Sequence, residues 1–483
     1  MKNIQPSLPL RRSLASCEVD AVRLWQSLHA ISREYEINKL ALLFAIIFVT
    51  GCASSPVAND RLAHFDGTTG YRIDNIPPAN DNSNGLFVVL TFSGGGTRAA
   101  AFSYGALETL RDTEIVWKGE RRKLLDEVDV ISAVSGGSVT AAYYGLYGDH
   151  IFEDFKDRVL YANFQKSFLS QMFSWSTYFR LSTPSYTRMN VIAETMSEDV
   201  FDRQTFGDLL RREQRPFIII NATDIALGSR FGFTQNDFDH LYSDLSTFEV
   251  GHAVAASAAV PGVVTPMILQ NFERGADYVM PPWAAQAIER RDVSSVSYKQ
   301  ARTLERYGEA ERRYVHLSDG GLSDNLGLLP IIQGLLQAEE PLESPMRDTI
   351  DQTERVIIIT VNAKGDAARP WQYKERPPSL LNTIFAASTA PLGNHTDTEI
   401  MYMQLLVNSL KRDAQDGDFN GPIDFEFIEI SFDHIEDATQ RDRLKSLPTS
   451  LKLPDEDVDL LRQSAREILN EHPVFQRLLK TLR

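Results

Sequence analysis

Cysteine is almost missing from this chain: of 483 residues only Cys17 and Cys52 are cysteines. Both precede the body of the protein, so no disulfide framework and no thiolate-bound metal is available beyond residue 52. Positive charge is also in short supply, with 49 Lys and Arg against 65 Asp and Glu, a formal charge of -16. Nucleic acid and anionic membrane surfaces are therefore poor electrostatic partners for the protein as a whole. No apolar run reaches the length that crosses a bilayer. Internal repeats, low-complexity tracts and Walker, zinc and EF-hand patterns are all lacking. What remains is a globular composition, 43% hydrophobic and 24% charged, long enough to bury one large core or two ordinary ones.

The apolar run that does occur, residues 40–50 (LALLFAIIFVT), follows Arg33 and Lys39 and ends in Val49-Thr50-Gly51-Cys52. Its length suits the apolar core of a secretory signal better than a membrane span. A buried core helix is the other reading, but polar, loop-like sequence follows at once (ASSPVANDR). The four-residue end resembles a bacterial lipoprotein lipobox, which implies lipidation of Cys52 and removal of residues 1–51. By the same resemblance, Ala53 in place of an aspartate implies the outer membrane. A long preceding segment carrying Glu18, Asp20, Glu34 and Glu36 departs from that pattern. Residues 52–84, rich in Asn, Asp, Pro and Gly, read as a tether with short local structure, and residues 85–483 as one folded body with a C-terminal helical extension.

Two strand–turn–helix passages stand out in that body. Residues 85–92 (GLFVVLTF) form a buried-strand pattern and run into Ser93-Gly94-Gly95-Gly96-Thr97-Arg98, then a helical spacing over 99–111. Residues 128–134 (VDVISAV) form a second apolar, β-branched run, followed by Ser135-Gly136-Gly137 and helix-compatible residues 139–146. A serine at the crest of such a turn is exposed at the carboxyl end of a sheet, with a helix amino end directed at its hydroxyl. That is the placement a nucleophile needs. Three readings of the glycine loop compete. Gly94, Gly96 and Ala99 match a G-x-G-x-x-A dinucleotide fingerprint, but no acidic residue closes a second strand about twenty positions on. A purely structural tight turn is the second. The third is an oxyanion hole, whose amides stabilise a tetrahedral intermediate; Ser135 on the next strand favours it.

Together with Asp319-Gly320-Gly321, these motifs resemble the oxyanion loop, nucleophile elbow and D-G-G motif of patatin-like phospholipases. Residues 255–263 (AASAAVPGV) and 217–224 (FIIINATD) are similar to further patterns of that family. The likeness runs over residues 85–329, with a looser continuation through the strand 356–361. Ala99 and Ala133 stand where the family often has glycine, and Ser135-Gly-Gly-Ser138 is similar to the more distant calcium-regulated cytosolic phospholipases. The resemblance implies a three-layer α/β/α fold with a mostly parallel central sheet. It also implies a Ser135–Asp319 dyad without histidine, an oxyanion cluster of Gly94, Gly95, Gly96 and Thr97 supported by Arg98, and no cofactor or metal. The implied substrate is a phospholipid, lysophospholipid or other acyl ester, reached from a membrane through lipidated Cys52.

Other readings stay open beside this one. Read alone, Asp319 before two glycines is a turn stabiliser, and Asp324-Asn325 fixes the same loop. A Ser-His-Asp α/β-hydrolase would draw on His395, in an expected loop, or His434; His252 and His316 read as core or supporting groups. A surface lipoprotein that keeps the fold and binds lipid or a partner without catalysis is the rival from another class. Residues 164–179 (FQKSFLSQMFSWSTYF) carry Phe164, Phe168, Met172, Trp175 and Phe179 on one helical face, either a core-packed helix or a lid. The charged run through Arg290, Lys299, Arg302 and Arg313 is either a solvated face or a headgroup patch. A strand at 355–361, helical spacing over 379–410, a late strand at 425–432 and two final helices, the last starting at Pro473, complete the expected order.

Overall fold

Three long runs, LFVVLTF, VDVISAV and RVIIITVN, share one property: most of their residues are apolar, without the strict alternation of a half-buried strand. Strands buried on both faces read this way, because helices cover a parallel sheet above and below. The structure is a computed structural model that describes residues 59–78, 82–83, 85–172, 174, 177, 180, 186–339, 345–366, 370–373, 375–417, 419 and 421–482. The leader and Cys52 lie outside the described residues. Everything described belongs to one compact unit, Ser54–Arg483.

The central sheet has eight strands: β1 (Leu86–Phe92), β2 (Val128–Val134), β3 (Phe217–Asp224), β4 (Ser229–Gly232), β5 (Met267–Gln270), β6 (Tyr314–Asp319), β7 (Arg355–Asn362) and β8 (Asp424–Ser431). Their order is β8-β7-β1-β2-β3-β6-β5, with β4 beside β3. From β8 to β3 neighbouring strands run parallel. The antiparallel pairings of this sheet are β3 with β6, β6 with β5 and β3 with β4. The α/β class and mostly parallel sheet expected from the sequence are therefore found, with β6 and the short β4 turned the other way.

The helices used below are α1 (Thr97–Asp112), α2 (Gly136–Tyr147), α3 (Phe164–Met172), α4 (Val250–Ser257), α5 (Pro282–Arg290), α6 (Val296–Arg306), α7 (Leu380–Asp416), α8 (Asp455–Glu471) and α9 (Pro473–Thr481). The late helices are built into the body. A Cβ on Gly105 of α1 would lie 2.3 Å from the Arg462 carbonyl oxygen of α8, so the two helices approach backbone to backbone. Arg462 ion-pairs with Glu108 at 2.7 Å across that crossing.

The stretch expected to be a tether is instead anchored where it is described. Asp60 and Arg61 pair with Asp244 and Ser243. Tyr71 is buried, and its hydroxyl accepts from the Ile218 amide at 2.9 Å and donates to the Ile218 carbonyl at 3.2 Å. Arg72 pairs with Asp239 at 2.6 Å, both side chains buried. A loop-like composition conceals this because a few buried anchors suffice to fix a segment without periodic pattern.

In the expected lid, Phe164 and Phe168 on α3 are half-buried, and Phe164 packs against the core; the side chains of Met172, Trp175 and Phe179 lie outside the described part. The charged run forms α5 and α6, joined by Ala284, Ala287 and Ala301. Arg302 and Arg306 pair with Glu305 and Glu309 nearby, the behaviour of a solvated face.

Candidate functional site

The register of the sheet brings the two candidate side chains level. Val134 lies opposite Asn221 and Asp319 opposite Ala222. Ser135, one residue past Val134, therefore stands level with Asp319 across β3. Two strand spacings, roughly 10 Å between backbones, are closed by the side chains. The Asp319 carboxyl accepts from the Gly321 amide at 2.8 Å, and the Ser135 hydroxyl lies near enough to favour its charged form. Burial pushes Asp319 up to about 6, and the Gly321 amide and Ser135 hydroxyl oppose that rise. Asp319 is thus a carboxylate at neutral pH with more basicity than an exposed one.

Ser135 has φ 50° and ψ -120°, a left-handed region that an L side chain occupies at a cost of about 1–3 kcal/mol. The turn is what aims the hydroxyl out of the sheet. It also requires glycine next: a Cβ at Gly136 would sit 2.0 Å from the Gly96 carbonyl oxygen. The Ser135 turn and the glycine loop are thus in backbone contact, and a Cβ built on Gly94 would lie 3.4 Å from the Ser135 Cβ.

Two of the four amides expected to face an oxyanion are already occupied. Gly94 donates to the Asn325 carbonyl at 3.0 Å and Thr97 to the Ser450 carbonyl at 2.9 Å. Among the described residues, no acceptor faces the amides of Gly95 and Gly96, which have φ 145° and 61°. Of the four amides expected to face an oxyanion, Gly95 and Gly96 are thus the two without a carbonyl partner among the described residues. Gly94 and Thr97 tether the two ends of the loop, contacts to residues hundreds of positions away that no local pattern foretells.

Arg98 follows this loop at the start of α1. Its guanidinium is buried and donates to the carbonyls of Ala363, at 2.9 Å, and Leu447. Burial lowers it to about 10, so it stays a cation. Asn325, beside Asp319's turn, closes the arrangement from the other side: its carbonyl takes the Gly94 amide, and its side chain donates to Thr396 of α7 at 3.4 Å. Asp324 is buried and accepts from the amides of Leu326, Leu328 and Leu329 at 3.2, 3.1 and 2.9 Å, the loop-fixing role expected of it. Sequence reasoning missed Ser257 and Asn221, which hydrogen-bond the Ser135 amide and the Ala133 carbonyl respectively; their stretches stand out in the sequence, their contacts do not.

No histidine joins the site among the described residues. His395 is exposed within α7, not in a loop as expected, because the helix continues through Pro391 and Gly393. His434 follows β8, three strands from β2, and receives the Ser431 amide at 3.3 Å. His252 packs against Phe248, and His316 pairs with Ile268 in the sheet. Among the described residues no group of three or more His, Cys, Asp or Glu is placed to hold a metal ion. No described helix is long and apolar enough to cross a membrane.

Residues 90–332, just over half the chain, match the family model described as Patatin-like phospholipase. Comparison with curated proteins gave no match. Among solved structures, human GIVD cytosolic phospholipase A2 is similar at 13% identity and a TM-score of 0.43, over 85% of this chain and 63% of that one. The same human protein in complex with methyl gamma-linolenyl fluorophosphonate is similar at 13% identity and a TM-score of 0.39, over 85% and 60%. VipD from Legionella pneumophila is similar at 11% identity and a TM-score of 0.31, over 83% and 67%. The chain spans about three fifths of the length of the human structures.

Proposed function

The chain belongs to the patatin-like phospholipase family, and from that premise we propose that it is a lipid acyl hydrolase in which Ser135 and Asp319 form the catalytic pair. The observation that carries this reading is the sheet register, which sets Ser135, at the end of β2, level with the half-buried Asp319 carboxyl at the end of β6 across β3. The Ser135 proton passes to Asp319 as its oxygen attacks the ester carbonyl. The negative oxygen that forms is received by the Gly95 and Gly96 amides. Collapse breaks the carbon–oxygen bond to the alcohol, which leaves with the proton from Asp319. Water then gives a proton to Asp319 and attacks the acyl-enzyme, releasing the fatty acid and returning the proton to Ser135. The absence of histidine around the pair among the described residues favours this dyad over a Ser-His-Asp arrangement.

Phospholipid or lysophospholipid is the proposed substrate class, on the strength of the family. The proposed location is a bacterial outer membrane, with the chain anchored through Cys52. Expression in a lipoprotein-processing bacterium followed by intact-mass analysis is expected to give a mature chain beginning at an acylated Cys52. An unmodified Cys52 in a chain starting upstream would contradict the anchor.

The Asp319 shift sets the pH dependence. An acid raised to about 6 is protonated below that pH and cannot take the Ser135 proton. For the free enzyme, kcat/KM on a short-chain ester is therefore expected to rise with pH around an apparent value of about 6 and then level off. A flat profile from pH 4.5 to 8, with the protein folded throughout, would contradict Asp319 as the base.

A further inference from the structure

Two stretches that resemble the family's patterns, 255–263 and Phe217–Asp224, have no part in the chemistry described so far, and they meet at one hydroxyl. Ser257, at the end of α4, is fully buried. Its oxygen accepts the backbone amide of Ser135 at 2.8 Å and donates to the Asn221 carbonyl of β3 at 2.6 Å. It also lies 3.1 Å from the Ser138 hydroxyl on α2. A serine hydroxyl has one proton and two lone pairs. With its proton committed to Asn221, Ser257 must accept from Ser138, so Ser257 takes two bonds and gives one, its full capacity. Asn221 is itself fixed: its amide donates to the Ser132 hydroxyl at 2.9 Å and the Ala133 carbonyl at 3.1 Å, and its oxygen accepts from Arg230 at 3.1 Å.

Resting on the reading of Ser135 as nucleophile, we propose that Ser257 is a positioning residue that holds the left-handed turn of Ser135 by capturing its amide. Ser135, at φ 50° and ψ -120°, gives its amide to the Ser257 hydroxyl at 2.8 Å. Ser257 supplies the acceptor that this orientation needs, from a chain segment 122 residues away. Without it, the amide is left without this partner in a buried site, and the turn relaxes toward ordinary backbone angles that swing the hydroxyl off the Asp319 carboxylate. Ser257 touches no substrate atom; it acts through the geometry of Ser135.

The test compares Ser257→Ala and Ser257→Thr with the parent chain, using turnover of a short-chain ester and the rate and extent of labelling by a fluorophosphonate. Ser257→Ala is expected to lower kcat on the order of 10- to 100-fold, as for a displacement of about 1 Å, with KM within about twofold and labelling slowed by the same factor. Ser257→Thr, which keeps the hydroxyl, is expected to recover most of that loss. If threonine does not fit the buried site, the alanine variant alone decides. Ser257→Ala turning over within about twofold of the parent, or labelling at the parent's rate with only a smaller labelled fraction, would overturn the proposal while leaving Ser135 as nucleophile. A folded parent that is not labelled and does not cleave esters would instead remove the hydrolase reading, and this proposal with it.

Discussion

Replacing Ser135 with alanine is expected to lower ester turnover by on the order of 10³- to 10⁶-fold while the chain stays folded. Alanine removes only the hydroxyl, and the Ser135 amide keeps its bond to Ser257. Asp319→Asn is expected to approach the same loss. The amide can still hydrogen-bond Ser135 but cannot take its proton, and the Ser135 oxygen remains a weak nucleophile at its unactivated pKa. Because the two groups act as one unit, the double variant is expected to be no slower than the worse single one. Multiplying losses in the double variant would mean that the side chains act independently. Full activity in both single variants would place ester cleavage elsewhere than this pair, whereas turnover no faster than buffer alone in parent and variants alike would leave the non-catalytic binding module as the better account.

Gly136→Ala is expected to have the second-largest effect. The new Cβ would lie 2.0 Å from the Gly96 carbonyl oxygen and 2.6 Å from the Gly96 nitrogen, which is backbone and cannot swing aside. Either the glycine loop or the start of α2 must move. Overpacking of this kind costs about 1–3 kcal/mol of stability. Displacing the Gly96 amide, one of the two donors proposed for the oxyanion, adds a fall in kcat on the order of 10²- to 10³-fold. Gly421 is the control: a Cβ there meets nothing within 4 Å, and alanine is expected to change stability by less than about 0.5 kcal/mol. Chemical denaturation and turnover measured together separate the two consequences. A Gly136→Ala variant of parental stability and activity would mean that the loop is not held against α2 as described.

Much of this site is legible in the sequence because its parts are local. The run 128–134 ends where the strand ends, Ser135 falls on the turn, and Gly136 and Gly137 begin the helix. The glycine loop and Asp319 are strand ends of the same kind, marked by small residues after apolar runs. What local pattern does not carry is how these ends are held together. Arg98 finds the Leu447 carbonyl 349 residues later, and Thr97 and Gly96 rest on Ser450. Such partners are backbone carbonyls, which every residue has, so no residue type announces them. The direction of β6 is equally hidden, since an alternating strand reads the same either way. The packing of residues 59–78 escapes for a related reason: its anchors, Tyr71 and Arg72, are single residues in a polar stretch, and their partners Ile218 and Asp239 lie far off in the sequence. In α7, Pro391 and Gly393 suggest a break, yet the backbone remains helical from Leu380 to Asp416, and Thr396 along it meets Asn325.

The most direct measurement is covalent labelling of the full chain with a fluorophosphonate, followed by digestion and mapping of the modified residue. The account requires one stoichiometric adduct on Ser135, absent in Ser135→Ala and formed far more slowly in Asp319→Asn. An adduct on another residue of a folded, ester-cleaving protein, or labelling of Ser135 at an undiminished rate without the Asp319 carboxylate, would contradict it.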